Sequence, residues 1–348
     1  MSVQSFLSAI PKADIGLQLE GAVPPQTLQM FADQNDLVGT KAYNETMKQF
    51  NAINHTKLPE LAAALSQWVR HTDDLSRMVY DVGVHLSKQN IRYAEIGVDP
   101  LLYMTPMGLT FEQFAAALDD GRMRAQRAWK IQMSWVFNVA REEYRRTDDI
   151  LRYAMSAGAR KYGVVAVGLS GREDAQPVSQ FERPFKAAGR KEFPTVVHAG
   201  DSLGSEGLKD ALMQLSPNRV IGGWGLMRDE ETTQTLIEQE VLVTVPISRH
   251  LLFGRLEEEG ALPLNTALEQ GVRLSVTAHL PTFYKMSLTD ELAALVERYN
   301  LPVSDVEQVA LNALRYSLLP DEERNAMLAT FREEYAELRA EHIEQQEA

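Results

Sequence analysis

The stretch "ADIGLQL" at residues 13–19 is a short apolar run of the kind that forms a buried β-strand. Seven similar runs follow: "IRYAEIGV" (91–98), "IQMSWVFNV" (131–139), "GVVAVGLS" (163–170), "PTVVHAG" (194–200), "RVIGGW" (219–224), "VLVTVPIS" (241–248) and "VRLSVT" (272–277). Longer segments with helical periodicity separate them, and the first connection, roughly residues 20–90, is long enough for several helices. Eight strands alternating with helices predict an α/β fold, a single (β/α)8 TIM barrel with extra helices after strand 1 and at the C-terminus.

The chain of 348 residues has no internal repeat and no Pro/Gly/Ser-rich linker that would divide it. We therefore expect one domain over residues 1–348, with the barrel at about 11–317 and a charged helical tail at 318–348. Ser304 and Glu307 have the spacing of a capping box and predict a helix start there. The tail is expected either to expose a solvated face or to pair with a second copy, so a homodimer stays open.

Composition restricts the class of partner. Lys and Arg number 35 against 48 Asp and Glu, a formal charge of −13, which argues against a nucleic-acid polymer. There are no cysteines, so disulfides and cysteine-ligated metal sites are excluded. The sequence contains no uninterrupted apolar segment of about 18 residues, so we expect no membrane span. The N-terminus lacks the basic region of a signal peptide. We expect a cytoplasmic protein that binds a small molecule.

TIM barrels carry their chemistry at the C-terminal ends of the strands. The polar residues that the strand assignment places there are Gln18, Glu20, Glu95, Ser170, His198, Asp201, Ser248, Arg249 and His279.

Six fragments near these strand ends resemble, in order, the motifs of the adenosine/adenine deaminase family, which belongs to the metal-dependent amidohydrolase superfamily. They are "PKADIGLQLEGAV" (11–23), "VGLSGRE" (167–173), "TVVHAGD" (195–201), "RVIGGWGLMRDEE" (219–231), "VPISRHLL" (245–252) and "VTAHLPTF" (276–283). The first is similar to His-x-His-Leu-(Asp/Glu)-Gly and the third to His-Ala-Gly-Glu. The resemblance runs from about residue 11 to residue 317 and implies the barrel fold.

The resemblance also implies where a zinc ion would bind. The family's four ligand positions fall on Gly16, Gln18, His198 and Ala278, of which only a histidine is a good zinc donor. The water-orienting histidine falls on Gly222. We therefore expect no metal, no other cofactor, and no deamination through a zinc-activated hydroxide.

The remaining polar residues suggest two groups of site residues, each with a competing structural role. His198, Asp201 and His279 are candidates for acid–base catalysis. The competing roles are a polar pocket contact for His198, a helix cap for Asp201 and a loop histidine for His279. Gln18, Glu20, Gly171 and Arg249 are candidates for substrate binding.

For the binding candidates, the family's glycine that contacts the purine falls on Gly171, whose other role is a tight turn. Arg249 suits a carboxylate or phosphate of a ligand, or else a salt bridge to Glu20 or Asp201. Trp135 and Trp224 line either the pocket or the core.

Three functions remain open. The first is a metal-independent enzyme (lyase, isomerase or hydrolase) that acts by proton transfer on a purine-like, nucleoside-like or other small polar substrate. The second is a non-catalytic protein that binds a nucleoside-like ligand or a partner. The third is a hydrolase that has rebuilt a metal site from His198, Asp201 and His279.

Overall fold

The computed structural model describes residues 2–223, 225, 228–252 and 263–343. Within them, eight parallel strands pair in chain order from β1 to β8, each overlapping its predicted run. Their bounds are β1 Lys12–Gln18, β2 Ile91–Val98, β3 Gln132–Ala140, β4 Val164–Ser170, β5 Thr195–Ala199, β6 Arg219–Gly222, β7 Leu242–Val245 and β8 Arg273–Val276. The predicted (β/α)8 barrel is confirmed.

Helices surround the strands, and several lie in the first connection as predicted. They are α1 Val3–Ala9, α2 Leu19–Ala22, α3 Pro25–Gln34, α4 Lys41–Asn51, α5 Leu58–Ser66, α6 Thr72–Ser87, α7 Pro100–Met107, α8 Phe111–Trp129, α9 Thr147–Ala154, α10 Ala157–Lys161, α11 Glu182–Gly189, α12 Gly204–Leu215, α13 Glu230–Glu238, α14 Ile247–Leu252, α15 Leu264–Glu269, α16 Pro281–Tyr284, α17 Leu288–Glu297, α18 Val303–Arg315 and α19 Asp321–His342. Short 3-10 turns lie at His55–Lys57, Arg141–Arg146 and Val178–Phe181. No helix among the described residues is both long and apolar enough to cross a bilayer.

Side chain and backbone bonds join β1 to the end of β8. The buried carboxylate of Asp14 accepts hydrogen bonds from Thr277 Oγ1 (2.5 Å) and from the Ala278 amide (3.0 Å). Farther along, the Gln18 amide donates to the His279 carbonyl at 2.9 Å. These bonds hold the loop after β8 against β1, so the positions of Gln18 and His279 are coupled.

An apolar cluster lies in the barrel interior, towards the N-terminal ends of the strands. Leu318 packs beneath an apolar layer formed by Val136, Ala166, Val196 and Ile221. Below that layer, Arg219 Nη1 lies 2.6 Å from Glu95 Oε2, and both side chains are almost fully buried. Glu95 is therefore not a residue of the barrel mouth as the strand assignment predicted, because it lies in the middle of β2 and pairs with Arg219.

The tail helix α19 packs against the chain's own α1 and α18. Its Tyr335 is buried and donates to the Pro11 carbonyl at 3.0 Å. The predicted capping box of Ser304 and Glu307 is wrong: α18 begins at Val303 after Pro302. The carboxylate of Glu307 instead pairs with Arg339 of α19, so it stabilises the tail.

Candidate functional site

A chain of amide hydrogen bonds fixes His198 in the barrel mouth. Asn138 Nδ2 on β3 donates to Gln18 Oε1 at 2.6 Å, and Gln18 Nε2 lies 3.2 Å from His198 Nε2. Because the oxygen of Gln18 is engaged by Asn138, its NH2 group faces the imidazole, and His198 Nε2 is the acceptor. A neutral imidazole has one such lone pair, so this bond occupies the nitrogen that would bind a metal or accept a proton.

His279 lies beside His198, with 5.2 Å between the ring centroids. Its backbone has φ of +54°, a left-handed conformation that is unfavourable for a residue with a side chain. Its Nδ1 is 3.4 Å from the hydroxyl of Tyr284, while its buried Nε2 has no hydrogen-bond partner among the residues the structure describes. Backbone strain and an unsatisfied polar atom at one position are typical of functional sites.

Asp201 and Arg249 form an ion pair at the edge of the mouth. Arg249 Nε lies 2.9 Å from Asp201 Oδ2, and Arg249 also donates to the hydroxyl of Tyr284. Asp201 does not cap the following helix, because α12 begins at Gly204 without a side-chain cap. Of the two salt bridges that the sequence left open for Arg249, the structure therefore contains the one to Asp201.

Both histidines of the mouth are neutral at pH 7. Burial, followed by the charge of Arg249, lowers the pKa of His198 to about 3. The same two causes, in the same order, lower the pKa of His279 well below its ordinary value. Neutral imidazoles do not supply a proton as imidazolium, but each carries one N–H that is able to donate a hydrogen bond.

Glu20 lies on the other side of the mouth, next to β2. Its buried carboxyl accepts from the Asp99 amide at 3.3 Å and from the hydroxyl of Tyr103. Burial raises the pKa of Glu20 to about 8 and that of Asp99 to about 7. A protonated carboxyl at pH 7 both donates and accepts, which suits a heterocycle with adjacent donor and acceptor atoms.

Gly171 ends β4 in a turn that requires glycine. Its φ is +84°, and a Cβ there would lie 2.0 Å from Glu142 Oε2. The tight turn is thus present, and contact of Gly171 with a ligand stays a prediction. The other strand-end serines differ in surroundings: Ser248 donates from its amide and hydroxyl to the buried Glu291, whereas Ser170 offers its carbonyl to Arg141.

Sequence reasoning missed three residues that build the mouth. Arg141 is buried and donates to the His198 carbonyl at 2.8 Å, while Asn138 and Tyr284 orient the two imidazoles. Asn138 and Arg141 lie at the end of the predicted third strand, which was the available signal. Trp135 is fully buried in the main hydrophobic core, and Trp224 lies outside the described residues.

Two glycines are tightly packed at positions where the resemblance places histidines of the family's zinc site, Gly16 at a ligand position and Gly222 at the position of the water-orienting histidine. A Cβ on Gly16 would lie 2.8 Å from the side chain of Thr277. Gly222 has φ of +120°, and a Cβ there would lie 2.6 Å from Asp201 Oδ1. Within the described part of the chain, no group of three or more His, Asp or Glu side chains is arranged to hold a metal ion.

Eight parallel strands in chain order, with polar side chains at their C-terminal ends, define this chain as a TIM barrel. The family model for adenosine deaminase matches residues 11–334, and the chain belongs to that family.

Similar proteins match this chain over most of its length. An adenine deaminase from Pseudomonas fluorescens is 27% identical over 317 residues, covering 89% of this chain and 97% of that protein. An aminodeoxyfutalosine deaminase from Streptomyces avermitilis is 23% identical over 319 residues, covering 91% and 89%. Among solved structures, a zinc-bound amidohydrolase from Burkholderia ambifaria has a TM-score of 0.84 at 21% identity, covering 98% of this chain and 94% of that one.

Proposed function

We propose that this protein is a metal-independent member of the adenosine deaminase family that acts on a purine-like or nucleoside-like small molecule by proton transfer. The observation that carries the proposal is the environment of His279. It is buried, its backbone is strained, and its Nε2 has no partner among the described residues. Such a residue destabilises the fold unless a ligand forms the missing hydrogen bond.

The donor set does not suit zinc. Of the four positions, Gly16 and Ala278 have no donor atom, and Gln18 uses its NH2 group to occupy the lone pair of His198. A structural zinc or a catalytic zinc needs at least three protein ligands. We therefore assign no step to a metal-activated water.

The tautomer of His279 follows from its neighbour Tyr284. Arg249 can only donate, so the phenol oxygen of Tyr284 is the acceptor of that bond. The phenol proton then has His279 Nδ1 as its acceptor, and the ring proton resides on Nε2. In this arrangement His279 presents an N–H to the ligand, where it stabilises charge on an oxygen or a ring nitrogen.

The catalytic residues are then assigned separate roles. Asp201, positioned by its ion pair with Arg249, takes a proton from the substrate. His279 donates a hydrogen bond to the atom on which negative charge develops, and His198 forms the adjacent wall. Gln18, Glu20, Gly171 and Arg249 surround the ligand. A purine-like ligand accords with the names of the relatives and with the protonated Glu20.

The test begins with the purified protein. We expect elemental analysis to find zinc far below one equivalent, and a panel of adenine, adenosine and AMP to give no ammonia. A wider panel of purine derivatives, incubated with a chelator and followed by mass spectrometry, is expected to include a substrate. His279→Ala should lower its rate at least about 100-fold, while His85→Ala, which changes an exposed histidine on α6, should leave it unchanged.

Stoichiometric zinc whose removal abolishes turnover would refute the proposal. A second function is favoured by the bond from Gln18 to His198, because that bond leaves this imidazole without a free basic nitrogen. In that case the protein binds the ligand without converting it. This outcome is identified if a purine derivative raises the melting temperature of the parent but not of His279→Ala, and if no product forms.

A further inference from the structure

A second cleft lies at the opposite end of the barrel, below β5 to β8. It has a volume of about 540 Å³, within the range of small-molecule sites, and we call it the basal cleft. The polar residues that matter to its chemistry are Asn218, Arg219, Arg273, Arg315, Ser317 and Arg324.

Charge is unevenly distributed in the basal cleft. Four arginines line it, but the lining includes one carboxylate, that of Glu240, in a chain whose formal charge is −13. Glu240 pairs with Arg273, yet the carboxylate side chain is 69% exposed. An ion pair with so exposed a partner is weak, so Arg273 can exchange it for a ligand.

Two of the lining residues carry buried polar atoms that lack a hydrogen-bond partner in the described part of the chain. Arg219 Nε and Ser317 Oγ have no hydrogen-bond partner among the described residues, and the two residues are 2% and 3% exposed. The remaining donors of Arg219 are engaged by Glu95 and by the carbonyls of Ile15 and Tyr316. Arg219 Nε can only donate and therefore requires an acceptor, and the Ser317 hydroxyl is able to donate to the same acceptor.

The other two arginines have partners that a ligand can supplement. Arg315 donates to the uncharged amide oxygen of Asn312 at 2.6 Å. Arg324 donates to the carbonyls of Ser317 and Leu319, and its carboxylate partner Asp321 is 86% exposed. Guanidinium groups of this kind bind tetrahedral oxyanions through several parallel N–H···O bonds.

We infer that the basal cleft is a binding site for a phosphate-bearing small molecule. It is separate from the barrel mouth, because the apolar layer of Val136, Ala166, Val196, Ile221 and Leu318 lies at the base of the barrel interior. Its phosphate is bound by Arg273, Arg315 and Arg324, and Arg219 and Ser317 supply the buried donors.

Inorganic phosphate is the probe. Calorimetric titration of the full-length protein at constant ionic strength is expected to give saturable binding in the millimolar range or tighter. Acetate should bind at least about tenfold more weakly, because it lacks the tetrahedral set of oxygens. Absence of saturable phosphate binding, or equal binding of acetate, would overturn the inference.

Two variants locate the site. Arg273→Gln should weaken phosphate binding at least about tenfold. The control is Arg92→Gln, since Arg92 also pairs with a glutamate and stacks on an aromatic ring but lies outside the cleft. Equal losses in both variants would refute the site. Binding that persists in His279→Ala distinguishes this inference from the function proposed for the mouth.

Discussion

The buried polar groups at the two ends of the barrel differ in charge. At the base, the charges of Glu95 and Arg219 pair at 2.6 Å beneath the apolar layer. At the mouth, the imidazoles of His198 and His279 are neutral, since burial and the charge of Arg249 lower the pKa of each. The ion pair at the base joins β2 to β6, whereas the polar groups at the mouth are uncharged rings, and His279 Nε2 has no partner among the described residues. The two ends therefore differ in the cost of losing a partner, because a buried charge left unpaired costs more than a neutral imidazole left unpaired.

The largest effect on stability is expected at the base. Glu95→Ala leaves the charge of Arg219 buried without its partner, and the free energy of unfolding should fall by about 3–5 kcal/mol. Urea denaturation followed by circular dichroism measures the change.

Glu334→Ala is the matched control, because it removes the carboxylate from an ion pair at the same 2.6 Å distance but with about a third of each side chain exposed. In this variant the free energy of unfolding should fall by less than about 1 kcal/mol. The double variant Glu95→Leu with Arg219→Met should recover part of the loss. A loss of less than 1 kcal/mol in Glu95→Ala would show that the base does not depend on the pair.

A change to glycine should affect stability at His279 in the opposite direction to its effect at a position with ordinary backbone angles. Because His279 has φ of +54°, His279→Gly should be more stable than His279→Ala by roughly 0.5–1 kcal/mol, although glycine loses more entropy on folding. The neighbouring Ala278 is not among the positive-φ residues, and Ala278→Gly should be less stable than the parent by a similar amount. Urea unfolding of the three variants tests the contrast, and two changes of the same sign would contradict it.

Stability should also depend on pH through the carboxyl of Glu20. Its folded pKa is about 8 against an ordinary value of 4.5, so the folded state holds the proton more tightly. The contribution of Glu20 to stability is complete below pH 4.5 and is lost as the pH rises to about 8. Glu20→Gln should therefore flatten the decline over this window and stabilise the protein at pH 8.

Thermal melts between pH 5 and pH 8 check this prediction, with Glu297→Gln, which changes an exposed carboxyl at the end of α17, as the control. A decline that is equally steep in Glu20→Gln would assign it to the neighbouring Asp99, whose pKa is raised to about 7.

The sequence was sufficient to predict the eight strands, because hydrophobic periodicity and strand spacing are local properties. It also placed Gln18, His198, Asp201, Arg249 and His279 at the mouth. It left open whether Arg249 pairs with Glu20, with Asp201 or with a ligand, and it did not predict that Tyr284 contacts His279, because these bonds depend on side-chain directions across loops. Glu95 was misplaced for a related reason: an inward-facing residue in mid-strand can lie in any layer of the barrel. The cytoplasmic location and the homodimer remain predictions.

The smallest effect on stability is expected within the basal cleft. There, Arg273 should contribute much less than Arg219 to the free energy of unfolding. Arg273→Gln breaks a pair whose carboxylate is mostly exposed, so the free energy of unfolding should change by less than about 1 kcal/mol. Urea unfolding at low phosphate measures this baseline. Adding phosphate should then stabilise the parent more than the variant, because a ligand that binds only the folded state shifts the unfolding equilibrium. A loss of several kcal/mol without phosphate would instead make Arg273 part of the structural base, like Arg219.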